Sequence, residues 1–170
     1  MHVVTPQGEP GYAPAPAAVD GHHAPGAVLR SRVRSGAEAL VARLVRGRSD
    51  EQLDRLLARP AVQRAVFRGM ARSVVPDRAF GLDVEVLYEL VGDGTVDRWT
   101  LRIADGRGSV RPGAPAAATV TMRMRRPVLA RMVSGELEAP RALIEGRLEV
   151  EGDLAVAARL GEAMGGPSAW

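Results

Sequence analysis

The stretch of sequence that decides the fold covers residues 134–160 and reads SGELEAPRALIEGRLEVEGDLAVAARL. Gly135 and Gly146 predict the ends of two short helices, because glycine readily takes the left-handed conformation that follows a helix. From Leu148 onward apolar residues alternate with charged ones, which is typical of a strand with one buried face. Asp153 can then cap a further amphipathic helix. The pattern therefore predicts one strand between apolar helices.

The order and spacing of this stretch resemble the lipid-binding domain of the sterol carrier protein type 2 family, also called the non-specific lipid-transfer proteins. The small, apolar and turn residues that carry the resemblance are Ser134, Gly135, Leu137, Ala142, Gly146, Leu148, Val150, Gly152, Asp153, Ala157 and Leu160. The resemblance extends more loosely over residues 80–165. It implies a tunnel between a sheet and helices that holds an acyl chain or a sterol. The run from Arg123 to Pro127 departs from the family, which often has acidic or hydroxyl residues there.

Alternating apolar residues upstream predict four more strands. The first covers residues 82–90, and a turn at residues 92–94 leads to a second that contains Trp99, Leu101 and Ile103. Asp105 and Gly106 predict a tight turn into a third strand, and residues 118–124 form the fourth. We therefore expect an α+β fold. Its five-stranded, mainly antiparallel sheet is covered on one face by helices with an apolar cavity between, as in the sterol carrier proteins, and is preceded by N-terminal helices.

Composition divides the 170-residue chain into three parts. Residues 1–26 are rich in Pro, Ala and Gly without any apolar period, which predicts a disordered tail. Residues 27–80 are predicted to form N-terminal helices of the same domain, with a capping box that starts at Ser49 and an apolar stripe in the last helix. That stripe consists of Val62, Val66, Met70 and Val74, with Phe67 beside it. Residues 81–166 are the predicted sterol-carrier-like lipid-binding core.

Several chemistries are excluded by residue types that the chain lacks. It has no cysteine and no lysine, and its three histidines, His2, His22 and His23, all lie in the predicted tail. Thiolate catalysis, Schiff-base chemistry and a Ser/His arrangement within residues 27–166 are therefore ruled out. We expect no catalytic residue, no metal site and no cofactor. The sequence shows neither a signal peptide nor a transmembrane run, which leads us to expect a cytoplasmic protein.

An apolar ligand site is the main functional hypothesis. The residues expected to line it are Val86, Tyr88, Trp99, Leu101, Val120, Met122, Met124, Met132, Leu143, Leu148, Val150, Ala157, Leu160 and Met164. Methionines are unbranched and adaptable, which suits variable ligands, although a methionine at helix or strand spacing belongs to a packed core more often than to a pocket. Tyr88 and Trp99 are expected on the buried face, where their polar atoms need partners or a ligand headgroup. The predicted function is non-catalytic binding or transfer of a fatty acyl chain, sterol, isoprenoid or similar molecule.

The alternative is a cofactor-free enzyme, of the cyclase or isomerase type, that uses the same pocket on a hydrophobic biosynthetic intermediate. It would need an acid in the pocket. The candidate acids are Asp83, Glu85, Glu89 and Asp97, whose alternation with apolar residues predicts that they face water. A carboxylate inside the cavity would favour this enzyme, an entirely apolar cavity would favour a carrier, and the absence of a cavity would favour an interaction module.

Charge is distributed unevenly along the chain. Residues 27–80 carry twelve arginines against five acids, whereas residues 136–162 carry three arginines against seven acids. Residues 28–46 form a predicted basic amphipathic helix, for which we consider a solvated surface, contact with an anionic membrane and an interaction module. The folded part has few aromatic residues for stacking and no nucleic-acid motif, so the pattern disfavours nucleic acid as the partner.

Overall fold

The computed structural model describes residues 42–164 as one α+β unit. Residues 42–45 are helical at the start of this part. The elements that follow are α1 (Asp50–Leu57), α2 (Pro60–Ser73), β1 (Val84–Val91), β2 (Val96–Ala104), β3 (Arg107–Pro112), β4 (Val120–Arg125), α3 (Arg126–Val133), α4 (Ala139–Ile144), β5 (Leu148–Gly152) and α5 (Leu154–Ala163). The predicted tail, its histidines and most of the predicted basic helix 28–46 lie outside the described residues.

The five strands form one sheet in the order β3-β2-β1-β4-β5. All neighbours pair antiparallel except β1 and β4, which run parallel. Long connections through helices separate β4 from β5, while short turns join β1 to β2 and β2 to β3. This arrangement confirms the predicted α+β fold with a five-stranded, mainly antiparallel sheet.

Local sequence explains where the helices begin. The Ser49 hydroxyl accepts a hydrogen bond from the Gln52 amide, and the Gln52 side chain accepts one from the Ser49 amide, which completes the predicted capping box of α1. A proline occupies the first turn of α2, α3 and α4, where its missing N–H costs no helical hydrogen bond. The Asp153 carboxylate caps α5 by accepting from the amides of Ala155 and Val156.

The buried face of α2 differs from the predicted one. The most buried positions in this helix are Gln63, Phe67 and Met70, whereas Val62 and Val66 are only partly buried. The real stripe is therefore rotated by about one residue, so that the aromatic ring points into the sheet. Phe67 gains more from burial than a valine does, because its apolar surface is larger.

Gly108 of β3 allows α2 to lie directly on the sheet. A Cβ atom at this position would lie 2.5 Å from the Ala71 carbonyl oxygen and 2.8 Å from the Val74 Cγ2 atom. Both neighbours belong to the end of α2, and the first is backbone, which cannot move independently of the helix. The absence of a side chain at Gly108 thus sets the distance between helix and sheet.

Candidate functional site

The sheet has one apolar face, and most of the predicted ligand-lining residues lie on it. Tyr88 at the centre of β1 is paired with Trp99 on one side and with Met122 on the other. Ten of the predicted lining residues are buried: Val86, Tyr88, Trp99, Leu101, Val120, Met122, Met124, Leu148, Ala157 and Leu160. The structure therefore brings these ten together in one apolar layer between the strands and the helices.

The other four predicted lining residues lie at the margin of this layer. Met132, Val150 and Met164 are partly buried and pack against the core. Leu143 differs, because 44 % of its surface is exposed. The short helix α4 buries its neighbour Ala142 instead, and a helix of six residues can direct only one narrow face inward. Leu143 therefore does not line the apolar layer.

An aromatic cluster occupies the space between α2 and the centre of the sheet. The rings of Phe67 and Trp99 stack with centroids 4.9 Å apart, and Phe67 meets Tyr88 edge to face at 5.4 Å. The Trp99 indole N–H donates to the Gln63 side-chain oxygen at 2.7 Å. A buried indole needs such an acceptor, and here a protein side chain supplies it. Burial raises the pKa of the Tyr88 hydroxyl above its usual value, because the phenolate would lose its hydration.

A buried polar cluster closes the apolar layer at the end of the sheet. Arg126 is 6 % exposed, and its guanidinium donates to the Asp97 carboxylate at 2.6 Å and 2.9 Å and to the Thr95 hydroxyl at 2.8 Å. It also reaches Asp54 of α1 at 3.5 Å. Gly92 provides room for it, since a Cβ atom there would overlap the guanidinium. Arg126 thus ties α1 to the turn between β1 and β2.

Asp97 corrects one expectation about the acids. It lies on the same face of β2 as Trp99, not on the water-facing side. One oxygen of its carboxylate accepts hydrogen bonds from both Arg126 and the Gln63 amide. Three N–H donors from these two side chains make Asp97 a member of a structural ion-pair network.

The remaining candidate acids lie on the opposite, polar face of the sheet, as predicted. Glu89 accepts from Arg98 at 2.8 Å and from Arg123 at 2.9 Å. The Arg98 hydrogen bond, with a further contribution from Arg123, holds the pKa of Glu89 below its usual value. Asp83 pairs with Arg102, and Glu85 pairs with Arg111. These pairs cover the polar face with charge, so the apolar contacts of the sheet are made on its other side.

A groove with a volume of about 410 Å³ lies where β1 and β4 end. Its wall combines charged and apolar side chains, and the lining residues are Asp50, Val91, Arg123, Met124, Arg125, Pro127, Val128, Gly146, Arg147 and Glu149. Met124 and Val128 also belong to the buried core. The groove reaches the core at these two residues, whereas its strand residues Val91, Arg123, Arg125 and Glu149 lie on the polar face of the sheet.

These features agree with a comparison against protein families, in which the model for the SCP-2 sterol transfer family matches residues 78–165. The chain belongs to the SCP-2 sterol transfer family. The part that matches the SCP-2 family contains the whole sheet and helices α3 to α5. Helices α1 and α2 precede it, so Gln63, Phe67 and Asp54 reach the site from outside the matched region. No curated protein matches the sequence.

Solved structures support the same SCP-2 fold. The palmitated SCP2L2 of Aedes aegypti superposes with a TM-score of 0.52 at 19 % identity, covering 60 % of this chain and 93 % of that one. Sterol carrier protein domain 2 of Helicoverpa armigera gives 0.51 at 15 % identity, covering 61 % and 83 %. The sec-alkylsulfatase Pisa1 of Pseudomonas sp. gives 0.50 at 25 % identity, covering 58 % of this chain. The match spans only 15 % of that sulfatase.

Two residues of the site escaped the sequence-based prediction. Gln63 is polar and therefore does not extend an apolar stripe, although it lies four residues before Phe67 and thus on the same helix face. Arg126 belongs to the arginine-rich run before Pro127, and nothing in the local sequence indicates that it is buried. The described residues contain no group of acids or histidines that could hold a metal ion. Within the same part of the chain, no helix is long and apolar enough to cross a bilayer.

Proposed function

We propose that this protein binds or transfers a hydrophobic ligand, without chemical conversion, in an apolar tunnel between the sheet and the helices. The ligand classes are a fatty acyl chain, a sterol, an isoprenoid or a molecule of similar polarity. Membership of the SCP-2 family is the observation that carries this proposal, because the matched region contains the strands that form the apolar layer. The palmitate named for the Aedes aegypti relative supports an acyl chain as one such ligand.

Ligand entry requires this layer to open. Val86, Leu101 and Val120 at the centre of the sheet have 0 % exposed surface, so a guest has to separate a helix from the strands or displace packed side chains. Methionine side chains adapt to such a change at low cost, because they are unbranched. Met70, Met122 and Met124 face this layer from α2 and β4.

The hydrophobic effect supplies the free energy that favours binding of an acyl chain. Burial of an acyl chain contributes about 0.8 kcal/mol per methylene, so a chain of about 14 methylenes contributes roughly 11 kcal/mol before association and ordering costs. Those costs reduce the net affinity strongly. No directional contact is needed for binding, which agrees with a site built from aliphatic and aromatic side chains.

Extraction of the purified protein with organic solvent, followed by mass spectrometry, tests the proposal directly. We expect a lipid or other hydrophobic molecule in an amount comparable with the protein. A fluorescent acyl chain added to delipidated protein should bind saturably. If nothing hydrophobic co-purifies and neither an acyl nor a sterol probe binds the folded protein, the proposal is wrong.

A matched pair of variants locates the ligand. Met122→Phe places a larger, stiffer side chain in the centre of the apolar layer and should weaken acyl binding. Leu87→Phe makes a comparable change on the polar face of the neighbouring strand and should leave binding unchanged. Circular dichroism and Tm identify any variant that loses its fold. Equal binding by both folded variants would remove Met122 from the lining.

We also propose a cytoplasmic location and peripheral contact with anionic membranes through the basic segment 28–46. In the described end of this segment, Leu44 is 46 % exposed between the exposed Arg43 and Arg46. Neighbouring apolar and basic side chains favour binding of this segment to the surface of an anionic bilayer. Sedimentation with vesicles should show binding to phosphatidylserine-containing vesicles that decreases with salt. Equal binding to purely zwitterionic vesicles would contradict the electrostatic part.

A further inference from the structure

The groove at the end of β1 and β4 carries three arginines. Arg123 and Arg125 come from β4, and Arg147 comes from the loop before β5. They line the same groove as the apolar residues Val91 and Pro127. The groove thus combines positive charge with an apolar wall, which is the combination that an anionic amphiphile requires.

The arginines differ in how far their charge is already neutralised. Arg123 forms ion pairs with Glu89 and, at 3.8 Å, with Glu149. Arg147 pairs with Glu145 at 3.3 Å. Within residues 42–164, Arg125 has neither an ion pair nor a side-chain hydrogen bond, and its side chain is exposed. Arg125 is therefore the cation of the groove that can bind an anion without breaking an existing contact.

The two acids of the groove do not compensate Arg125. Asp50 accepts from the Arg131 guanidinium at 2.7 Å and 3.1 Å, and Glu149 lies beside Arg123. The first turn of α3, which begins at the groove, contains no acid, and its N-cap makes no side-chain hydrogen bond. The partial positive charge of this helix end adds to that of Arg125.

We propose that this groove binds the carboxylate, sulfate or phosphate head of an amphiphile, with Arg125 as the residue that selects for negative charge. The first hydrocarbon segment lies against Val91 and Pro127 and turns toward Met124 and Val128, which are shared by the groove and the buried core. The path of the hydrocarbon into the core rests on the proposed function. The contact between the anion and Arg125 does not.

Titrations monitored by the NMR signals of residues 123–128 and 146–149 test this site. The probes are decyl sulfate below its micelle concentration, decanol and inorganic sulfate. We expect decyl sulfate to bind at least tenfold more tightly than either decanol or inorganic sulfate, since a charge-assisted hydrogen bond adds about that factor. Decanol tests the hydrocarbon site by itself, and inorganic sulfate tests the groove by itself. The proposed hydrophobic site and the proposed anion contact can therefore be refuted separately.

Arg125→Gln is the diagnostic variant, because the exposed side chain contributes no contact to the described fold. It should weaken decyl sulfate binding about tenfold and leave decanol binding unchanged. Arg68→Gln is the matched control. Arg68 is an exposed arginine of α2, which packs against β3 at the other edge of the sheet, and its loss should change neither affinity.

Three results would overturn the inference. The first is equal affinity for decyl sulfate and decanol, and the second is an unchanged decyl sulfate affinity in Arg125→Gln. The third is decyl sulfate binding no tighter than inorganic sulfate, which would make the groove a site for free anions only. If decanol does not bind but inorganic sulfate still shifts the NMR signals of the groove, the hydrocarbon path is refuted. The contact between the anion and Arg125 would then remain.

Discussion

Replacement of Gly108 by alanine should push α2 away from the sheet. The added methyl carbon would lie 2.5 Å from the Ala71 carbonyl oxygen and 3.0 Å from the Ala71 Cα atom, both much closer than normal contact. Because these are backbone atoms in the last turns of α2, relief requires movement of the helix or of β3. Such movement would also loosen the contact of Phe67 with Trp99 and Tyr88.

Overpacking of this kind costs about 1–3 kcal/mol. For a protein of this size, about 2 kcal/mol lowers the Tm by roughly 4–8 °C. Gly69→Ala is the matched control, since Gly69 lies in the same helix and a Cβ atom there would meet nothing within 4 Å. Alanine is the better helix former, so Gly69→Ala should raise the unfolding free energy by about 0.5–1 kcal/mol. The same chemical change thus has opposite predicted signs at two positions.

Urea unfolding followed by far-UV circular dichroism measures both values, and thermal unfolding provides an independent check. The reasoning predicts a lower midpoint for Gly108→Ala and a higher one for Gly69→Ala, with similar m-values. If Gly108→Ala is as stable as the wild type, α2 does not rest on β3 at this distance. If both variants are destabilised equally, the close contact of Gly108 with α2 does not distinguish the two positions and the reasoning is wrong.

Two further predictions concern charged groups. Arg126→Ala should lower the unfolding free energy by about 2–3 kcal/mol. This loss is smaller than for a fully buried ion pair, because the Asp97 side chain is 33 % exposed. An unchanged urea midpoint would contradict the prediction. Because Arg98 keeps the folded-state pKa of Glu89 below its unfolded value, the pair stabilises the fold above the unfolded pKa of about 4.3 and loses this effect as pH falls through the folded value. Glu89→Gln should therefore show a shallower loss of stability between about pH 5 and pH 3, and parallel curves for variant and wild type would exclude this contribution.

Residue patterns were sufficient for most of the secondary structure. Alternation in β1 and β2 placed Tyr88 and Trp99 on the buried face, and the structure confirms both. Asp105 with φ 51° and Gly106 with φ 70° form the predicted tight turn between β2 and β3. These features depend on neighbours within a few residues, so the local sequence carries the information.

Long-range packing decided the features that the patterns missed. Gln63 is buried because the Trp99 indole, 36 positions away, requires an acceptor. Asp97 lies on the same strand face as Trp99, and Arg126, 29 positions away, supplies the charged partner that it needs there. The apolar character of Leu143 predicts an interior position, but the short helix α4 leaves this residue exposed.

The sequence by itself determined the strands, the helix boundaries and the resemblance to the sterol carrier family, because periodicity and capping act over one or two helical turns. Only the tertiary structure decided the strand order, the burial of Arg126 and the gathering of three arginines in one groove. The physical reason is that the energy of a charged or polar side chain depends on which distant groups surround it. That environment exists only after the sheet and the helices have packed.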